Sequence, residues 1–193
     1  MSKHRHFIMH KPLGFVSQFV YTQKRKKRLL GELYDFPEKT MAIGRLDVNS
    51  EGLLLLTTDG KLSADICSSK VEKEYYVQVD GLIDDKAIEK LQKGVEIGLF
   101  GKRYTTTPCK AHALPSPPDF AARTKKIRDE RHGPTSWASI TLTEGKYRQV
   151  RKMTASVGFP TLRLIRVRIG GLKLVNLNTG EVVESKDLAQ VFE

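Results

Sequence analysis

The side chain best placed for chemistry is Asp47, in the sequence Gly44-Arg45-Leu46-Asp47. Residues 49–52 have the composition of a turn. The apolar run 53–56 predicts a strand buried on both faces and is too short to cross a membrane. Asp47 is therefore expected on a loop at the mouth of a buried strand, where a scaffold can present a reactive group. The alternative is that Asp47 only caps a turn, which is a common role for aspartate.

A second informative stretch runs from Glu144 to Met153 and is rich in cations. A helix over 147–157 would carry an apolar face and a cationic face. The apolar face would hold Val150, Met153 and Val157. The cationic face would hold Arg148, Arg151 and Lys152. An ordinary solvated face is the alternative, but residues 145–168 hold seven basic residues and no acidic one, which favours a binding surface.

The overall charge predicts a polyanionic partner. The chain of 193 residues has a formal net charge of +11 and a pI near 9.7. Residues 1–30 hold eight basic residues and no acidic one, and residues 101–135 hold eight basic and three acidic residues. Cations gathered into segments suit a surface that follows phosphates, so the pattern favours nucleic-acid binding over general solubility.

Two basic loops are candidates for contact with that partner. Residues 24–28 are five consecutive cations, expected to form a loop, although such a pentamer also resembles a nuclear localisation signal. Residues 115–134 hold four prolines and several cations, and the segment 123–131 within them is a weaker candidate because its charge is diluted. The strand expected over 161–170 carries Arg163 and Arg166, which are further candidates.

The remaining pattern predicts short strands and helices that would position these stretches. Strands are expected over 6–10, 41–44, 73–79, 95–97, 104–114, 137–142 and within 182–192. Helices are expected over 29–34, 60–68 and 84–93, with Asp59 as an N-cap and Gly94 as a stop. Tyr75 would share one strand face with Val77 and Val79.

Several function classes are disfavoured by what the sequence lacks. The two cysteines, Cys67 and Cys109, show no Cys-x-x-Cys spacing, so neither a zinc site nor a disulfide framework is expected. The glycine-rich loops of nucleotide-binding proteins are missing, so no nucleotide cofactor site is expected. No apolar N-terminal segment is present, so a cytoplasmic protein without membrane contact is expected.

These motifs together resemble the RNA pseudouridine synthases. Gly44-Arg45-Leu46-Asp47 followed by Gly52-Leu53-Leu54-Leu55-Leu56-Thr57 is similar to their catalytic motif, in the version of the ribosomal small-subunit synthase A branch. Three further stretches agree in order: Lys11-Pro12-x-Gly14, Lys73-x-Tyr75-x-Val77, and Glu144 to Met153 with the following Leu164-x-Arg166-x-x-Ile169-Gly170. Thr58 and Tyr147 depart from the pattern, because asparagine is usual at both places. Since many members carry an N-terminal RNA-binding domain before the first motif and this chain begins near it, the chain looks most like the large-subunit rRNA synthase E type.

The resemblance implies a role for each motif and implies neither a cofactor nor a metal. Asp47 would start cleavage of the glycosidic bond of a uridine, either as a nucleophile or by taking a sugar proton. Arg151 would pair with Asp47, since a guanidinium favours the ionised carboxylate. Tyr75 would pack against the base, and Arg45 and Lys73 would support the site. Phosphate contacts are expected from the remaining basic candidates: Lys11, Lys24, Arg25, Lys26, Lys27, Arg28, Arg148, Lys152, Arg163 and Arg166.

The implied fold is α+β, with a mixed, largely antiparallel central sheet, flanking helices and a central cleft. The expected organisation is a single catalytic domain over 1–193, either as one body or as two lobes, without a separate RNA-binding domain. The implied partner is ribosomal RNA, more specifically 23S rRNA, and a monomer is expected. Two other readings stay open. A catalytically inactive RNA-binding or ribosome-assembly protein is disfavoured by the joint presence of Asp47, Tyr75 and Arg151, and an RNA methyltransferase by the missing glycine-rich loop.

Overall fold

The computed structural model describes residues 4–21, 27–68, 71–123, 127, 130–186, 188 and 192. Its contacts divide the chain into two compact units. The first unit combines residues 1–71 with 166–193, and the second comprises residues 72–165. The first unit is therefore discontinuous in sequence, and the whole second unit lies between its two segments.

The first unit is built on antiparallel strands that bury the leucine run. Its elements are β1 (His6–Lys11), β2 (Met41–Ile43), β3 (Glu51–Thr57), α1 (Gly60–Ser68), the end of β9 (Thr161–Ile169), β10 (Leu172–Lys173) and β11 (Val182–Ser185). The strand order is β11-β1-β3-β9, with β2 on β3 and β10 on β9. Every residue of β3 is buried, as expected for an apolar strand with both faces covered. Leu53 and Leu55 pack with Ile43, Ile66, Ile169 and Leu188.

The second unit packs two helices against further antiparallel strands. Its elements are β4 (Lys73–Asp80), α2 (Asp85–Lys93), β5 (Glu96–Leu99), β6 (Lys102–Thr105), β7 (Lys110–Ala113), β8 (Thr135–Leu142), α3 (Gln149–Ser156) and the first part of β9. The order is β9-β4-β8-β7, and β5 and β6 form a separate hairpin. Val77, Val79, Leu91, Ile140 and Met153 are all fully buried and form the centre of the core.

The expectations of an α+β fold and of a largely antiparallel sheet are confirmed. Most individual elements are also where the sequence places them. In α2, the Asp84 carboxylate accepts from the Ala87 amide at 2.7 Å, and Gly94 ends the helix at a φ of 93°. Asp59 caps α1 through the amides of Lys61 and Leu62. The central cleft and the single catalytic domain stay predictions.

Three expected elements differ. The prediction of one strand over 104–114 is wrong, because β6 ends at Thr105 and β7 begins at Lys110. Pro108 lies between the two strands and has no amide hydrogen to donate. The helix over 29–34 is reduced to a single 3-10 turn, Leu30–Glu32. Helix α3 begins at Gln149 and not at Tyr147, because Arg148 adopts a left-handed φ of 53°.

Among the described residues, no helix is long and apolar enough to cross a membrane.

Candidate functional site

The Asp47 loop is held by backbone and hydroxyl hydrogen bonds within the first unit. The Ser50 amide donates to the Asp47 carbonyl at 2.9 Å, and the Gly14 amide donates to the Val48 carbonyl at 2.8 Å. The Ser17 hydroxyl donates to the Leu46 carbonyl and accepts from the Leu46 amide, both at 2.9 Å. The backbone on both sides of Asp47 is therefore fixed, while its side chain stays partly exposed. Such a loop presents a carboxylate in a defined place.

Lys11 lies inside the first unit, so its prediction as a phosphate contact is wrong. It is 0% exposed, and its ammonium group donates to the carbonyls of Pro12 at 3.0 Å and Phe15 at 2.7 Å. Burial lowers the pKa of Lys11 from 10.5 to about 7, and the positive charge of Arg166 acts in the same direction. The carboxylates of Glu51 and Asp47 act in the opposite direction and raise this pKa. Lys11 therefore belongs to the electrostatic surroundings of Asp47 and supports the chain that leaves β1.

Arg166 is likewise buried, which contradicts its prediction as an RNA contact. It is 3% exposed, its Nε donates to the Leu53 carbonyl at 2.8 Å, and its Nη1 lies 3.5 Å from the Arg45 carbonyl. The side chain thus links the start of β3 to the loop that carries Asp47. Gly52 permits this arrangement, since a Cβ there would lie 2.3 Å from the Arg166 carbonyl oxygen.

The prediction that Arg163, in the second unit, contacts RNA is also wrong. It is 7% exposed, and its Nη2 donates to the Ala121 carbonyl at 3.0 Å. Its guanidinium therefore anchors the segment that follows β7 and is not offered to a phosphate.

Tyr75 and Lys73 both lie on β4 in the second unit, paired with β8 opposite Ile140 and Leu142. Tyr75 is partly buried and packs against the core of that unit. It shares a strand face with Val77 and Val79, as the alternation predicts. Packing thus holds the Tyr75 side chain while part of its surface stays exposed, which suits a residue that contacts a base.

The start of α3 is held by a network around Glu144. This carboxylate accepts from the Tyr104 hydroxyl at 2.6 Å, the Thr107 amide at 2.9 Å and the Gln149 side-chain amide at 2.6 Å. Gln149 in turn accepts from the Lys146 amide at 2.9 Å. Burial raises the pKa of Glu144, but these hydrogen bonds outweigh it and the net pKa is lowered, so the network keeps an ionised carboxylate.

Three cations of this stretch, Arg148, Arg151 and Lys152, are partly exposed, while Val150 and Met153 are buried. The Lys152 ammonium donates to the Gly98 carbonyl at 2.6 Å and lies 5.2 Å from the centre of the Tyr147 ring.

The predicted catalytic residues are divided between the two units. Asp47 and Arg45 belong to the first unit, and Tyr75, Lys73 and Arg151 belong to the second. The pairing of Asp47 with Arg151 therefore stays a prediction.

The two basic loops are only partly described. Lys24, Arg25 and Lys26 lie outside the described residues, as do 124–126 and 128–129 of the second loop. Arg28 is exposed, but its Nε pairs with Glu32 at 3.0 Å and its guanidinium covers the Phe15 ring at 4.1 Å. Lys27 is partly exposed. Phosphate contact by Lys27 and Arg28 stays a prediction.

Two supporting residues were missed by the sequence reasoning. Ser17 binds the Leu46 backbone from 29 positions away, and serine at that distance gives no pattern that could reveal the contact. Glu51 is 3% exposed at the start of β3 and acts on Lys11. An acidic residue directly before an unbroken apolar run is the signal that could have indicated its burial.

No group of three or more His, Cys, Asp or Glu side chains in the described part of the chain is arranged to hold a metal ion.

Comparison with known proteins identifies the family. The model of the RNA pseudouridylate synthase family matches residues 5–156. The chain belongs to this family. A ribosomal large subunit pseudouridine synthase E of Vibrio parahaemolyticus is 43% identical over 178 residues, covering 90% of this chain and 71% of that protein. One from Xanthomonas campestris is 40% identical over 176 residues, covering 90% and 91%.

Solved structures agree with this assignment. A crystal structure of a pseudouridylate synthase matches with a TM-score of 0.78 and 27% identity, over all of this chain and 75% of the other. A Cbf5-Nop10-Gar1 complex matches with a TM-score of 0.53 and 15% identity, covering 88% of this chain and 50% of the other, and so shows likeness of fold alone. The pseudouridine synthase fold expected from the motifs is therefore confirmed, and the chain is an RNA pseudouridine synthase.

Proposed function

We propose that this pseudouridine synthase isomerises a specific uridine of large-subunit ribosomal RNA, 23S rRNA in bacteria, and that Asp47 starts the reaction. The observation that carries the substrate class is the 43% and 40% identity to relatives named for the ribosomal large subunit. The Asp47 loop supports the catalytic part, because its backbone is fixed by Ser17, Gly14 and Ser50 while its carboxylate stays partly exposed.

The chemistry needs few groups. The bond from C1′ to N1 of the uridine breaks, the base turns, a bond from C1′ to C5 forms, and the proton on C5 is lost while N1 gains one. Atoms balance without an oxidant, a reductant or a second substrate. Asp47 would act on the sugar, Arg151 would stabilise the Asp47 carboxylate, and Tyr75 would pack on the base, with Arg45 and Lys73 as supports. Attack by Asp47 on C1′ and removal of a sugar proton both fit a partly exposed carboxylate.

The target uridine must leave its stack before it reacts, at a cost of a few kcal/mol. Phosphate contacts from the exposed cations would offset that cost. The basic candidates that fit are Arg148 and Lys152, with Lys27, Arg28 and the segment 24–26. A monomer acting in the cytoplasm is part of the proposal.

The decisive test of Asp47 is the Asp47→Asn variant, which keeps the size of the side chain and removes its ionisable oxygen. We expect no pseudouridine formation on rRNA lacking the modification, with RNA affinity within about twofold of wild type, because phosphates dominate affinity. Asp65→Asn, on the exposed face of α1, is the matched control and should leave the rate unchanged. Pseudouridine formation by Asp47→Asn near the wild-type rate would contradict the role of Asp47.

Arg151→Lys tests the second half of the site. Lysine keeps the charge but loses the planar fork that holds a carboxylate with two hydrogen bonds. We expect turnover at saturating RNA to fall at least about tenfold while KM changes little, as for a group that acts mainly in the transition state. A rise in KM with unchanged turnover would assign Arg151 to phosphate binding.

The substrate is tested by mapping pseudouridines in both ribosomal RNAs from cells with and without this gene. We expect one large-subunit uridine to lose its modification. Loss only in the small subunit would overturn the substrate assignment, and no loss in either would favour an RNA-binding protein without catalytic activity.

A further inference from the structure

The hairpin of β5 and β6 ends in an aromatic side chain that the core does not explain. Phe100 is 86% exposed, the largest exposure among the large apolar side chains that the structure describes. It occupies the first position of a two-residue turn, with φ of 49° at Phe100 and 79° at Gly101. Asparagine or glycine ordinarily fills that position, because a bulky residue strains there. A costly, exposed phenylalanine at this turn points to contact with something outside the chain.

Phe100 is not isolated, since it stacks on a second exposed ring. The rings of Phe100 and Tyr147 have centroids 5.7 Å apart and an interplanar angle of 29°. Tyr147 is itself 57% exposed, so both rings keep open surface.

Cations surround the two rings. The Lys152 ammonium lies 5.2 Å from the centre of the Tyr147 ring and is fixed to the hairpin by its bond to the Gly98 carbonyl. Lys146 and Arg148 flank Tyr147 in the chain, and Lys102 follows the turn. Flat rings bordered by positive charge match the composition of single-strand RNA platforms, in which bases stack on aromatic faces beside cations.

Two acids of the same unit, Glu96 on β5 and Glu144 before α3, are engaged with other partners. Glu96 pairs with Arg103 at 2.9 Å. Glu144 accepts hydrogen bonds from Tyr104, Thr107 and Gln149. Their charge is therefore partly offset, and the surface around the rings remains suited to an anionic partner.

We propose that Phe100 and Tyr147 form a stacking platform for an unpaired base of the RNA substrate, with Lys152, Arg148 and Lys102 beside its phosphates. The inference rests on the proposed function for the presence of RNA, and it adds a contact site in the second unit. An unpaired base of the RNA is a suitable occupant, because a base without a stacking partner can stack on an aromatic face. Stacking tolerates any base, so the platform would contribute affinity more than sequence specificity.

The test compares two labelled probes with the same number of phosphates: a short oligoadenylate and an abasic ribose-phosphate chain of equal length. Fluorescence anisotropy gives the affinity of the full-length protein for each. Wild type should prefer the oligoadenylate by about 5- to 100-fold, in the range of one stacked base. Phe100→Ala and Tyr147→Ala should each lose most of this preference and keep the affinity for the abasic chain.

Two further variants separate stacking from a general loss of apolar surface. Phe100→Leu keeps an apolar side chain without a flat face and should lose the preference, whereas Phe100→Trp should retain it. Leu82→Ala, which removes a 65% exposed apolar side chain of the same unit, should change neither affinity. Circular dichroism would confirm folding, which the exposure of Phe100 makes robust to substitution.

The outcomes are distinguishable from those for the proposed function. A wild-type protein that forms pseudouridine but shows no preference for the base-bearing probe overturns the platform alone. Preservation of the preference in Phe100→Ala and Tyr147→Ala also overturns it, and would leave the patch to a protein partner. Base preference in a protein that forms no pseudouridine overturns the proposed function alone.

Discussion

The region around the Asp47 loop and the region around the Phe100 and Tyr147 rings use the same residue types in opposite ways. In the first, Lys11 and Arg166 are 0% and 3% exposed and donate to backbone carbonyls around the Asp47 loop. In the second, Arg148 is next to Tyr147 in the chain and Lys152 lies 5.2 Å from the centre of that ring, and both cations are partly exposed. A cation inside the chain loses its hydration and must replace it with carbonyl oxygens, so it fixes geometry. A cation at the surface keeps its water until a phosphate replaces it, so it serves binding.

The largest expected effect comes from the close approach that underlies the buried arrangement. In Gly52→Ala, the new Cβ would lie 2.3 Å from the Arg166 carbonyl oxygen, at a φ of +109° that alanine rarely adopts. We expect the free energy of unfolding to fall by about 2–5 kcal/mol, from backbone strain and overpacking combined. Chemical denaturation measures this change. Gly145→Ala in the second unit, where nothing lies within 4 Å, is the control and should cost far less.

The contribution of the buried Lys11 to the free energy of unfolding depends on pH. Its pKa is about 7 in the folded chain, against 10.5 for the ordinary side chain. Below pH 7 both the folded and the unfolded state carry the proton, and the full cost of the buried charge is present. Between about pH 7 and 10.5 the unfolded state binds more protons, so the contribution of Lys11 to stability rises with pH. The slope is at most about 1.4 kcal/mol per pH unit.

This slope is measured as the difference in free energy of unfolding between wild type and Lys11→Met at several pH values from neutral to about 9, within the range in which the two states differ in bound protons. Lys11→Leu should give the same slope, although its packing differs, because neither variant has an amine. If the free energy of unfolding of wild type minus that of the variant is constant or falls with pH, the ammonium group contacts water or a carboxylate whose attraction outweighs the effect of burial.

Arg166→Met should cost about 1–3 kcal/mol of stability, because the Leu53 carbonyl loses its donor. Arg148→Met is the matched surface variant and should stay within about 0.5 kcal/mol of wild type. Thermal or denaturant unfolding measures both. Equal losses in the two variants would remove the distinction between buried and exposed cations. We also expect Arg166→Met to slow turnover, since Nη1 lies beside the Arg45 carbonyl in the Asp47 loop.

The smallest expected effect is on the salt dependence of RNA affinity. Replacing Arg148 and Lys152 with glutamine should flatten the plot of log affinity for RNA against log salt by about 0.7 for each phosphate that the variant no longer neutralises. Neutralising 24–28 should flatten it further. Lys11→Met, whose cation is buried, should leave the slope unchanged. A larger decrease of the slope in Lys11→Met than in the surface variant would reverse the assignment of the two groups.

The elements around the site were predictable wherever local chemistry decides them. The leucine run defined β3, and Asp84 and Gly94 defined both ends of α2. The burial of individual cations could not be predicted from the sequence. Arg163 and Arg166 look alike in a charge count, yet both reach carbonyls far away in sequence, at Ala121 and Leu53. Charge patterning describes a segment, whereas burial depends on which partners the tertiary fold brings to each side chain.

Local backbone conformation accounts for the other differences. Arg148 adopts a left-handed conformation that non-glycine residues rarely take, so periodicity placed the start of α3 two residues too early. The catalytic roles proposed for Asp47, Tyr75 and Arg151 rest on the resemblance of their motifs to a family, because nothing in spacing alone distinguishes Asp47 from a turn cap.

The interrupted order of the first unit has a consequence for folding. β1 pairs with β11 at His6 and Ser185, and the Asp47 loop receives Arg166 from beyond the second unit. Residues 72–165 form one continuous segment, so the second unit has all its internal partners close together in the chain. Pairings between distant segments, such as those of the first unit, close large loops and form slowly. We therefore expect the inserted unit to fold first, and the loop that carries Asp47 to reach its final arrangement only when the two segments of the first unit have paired.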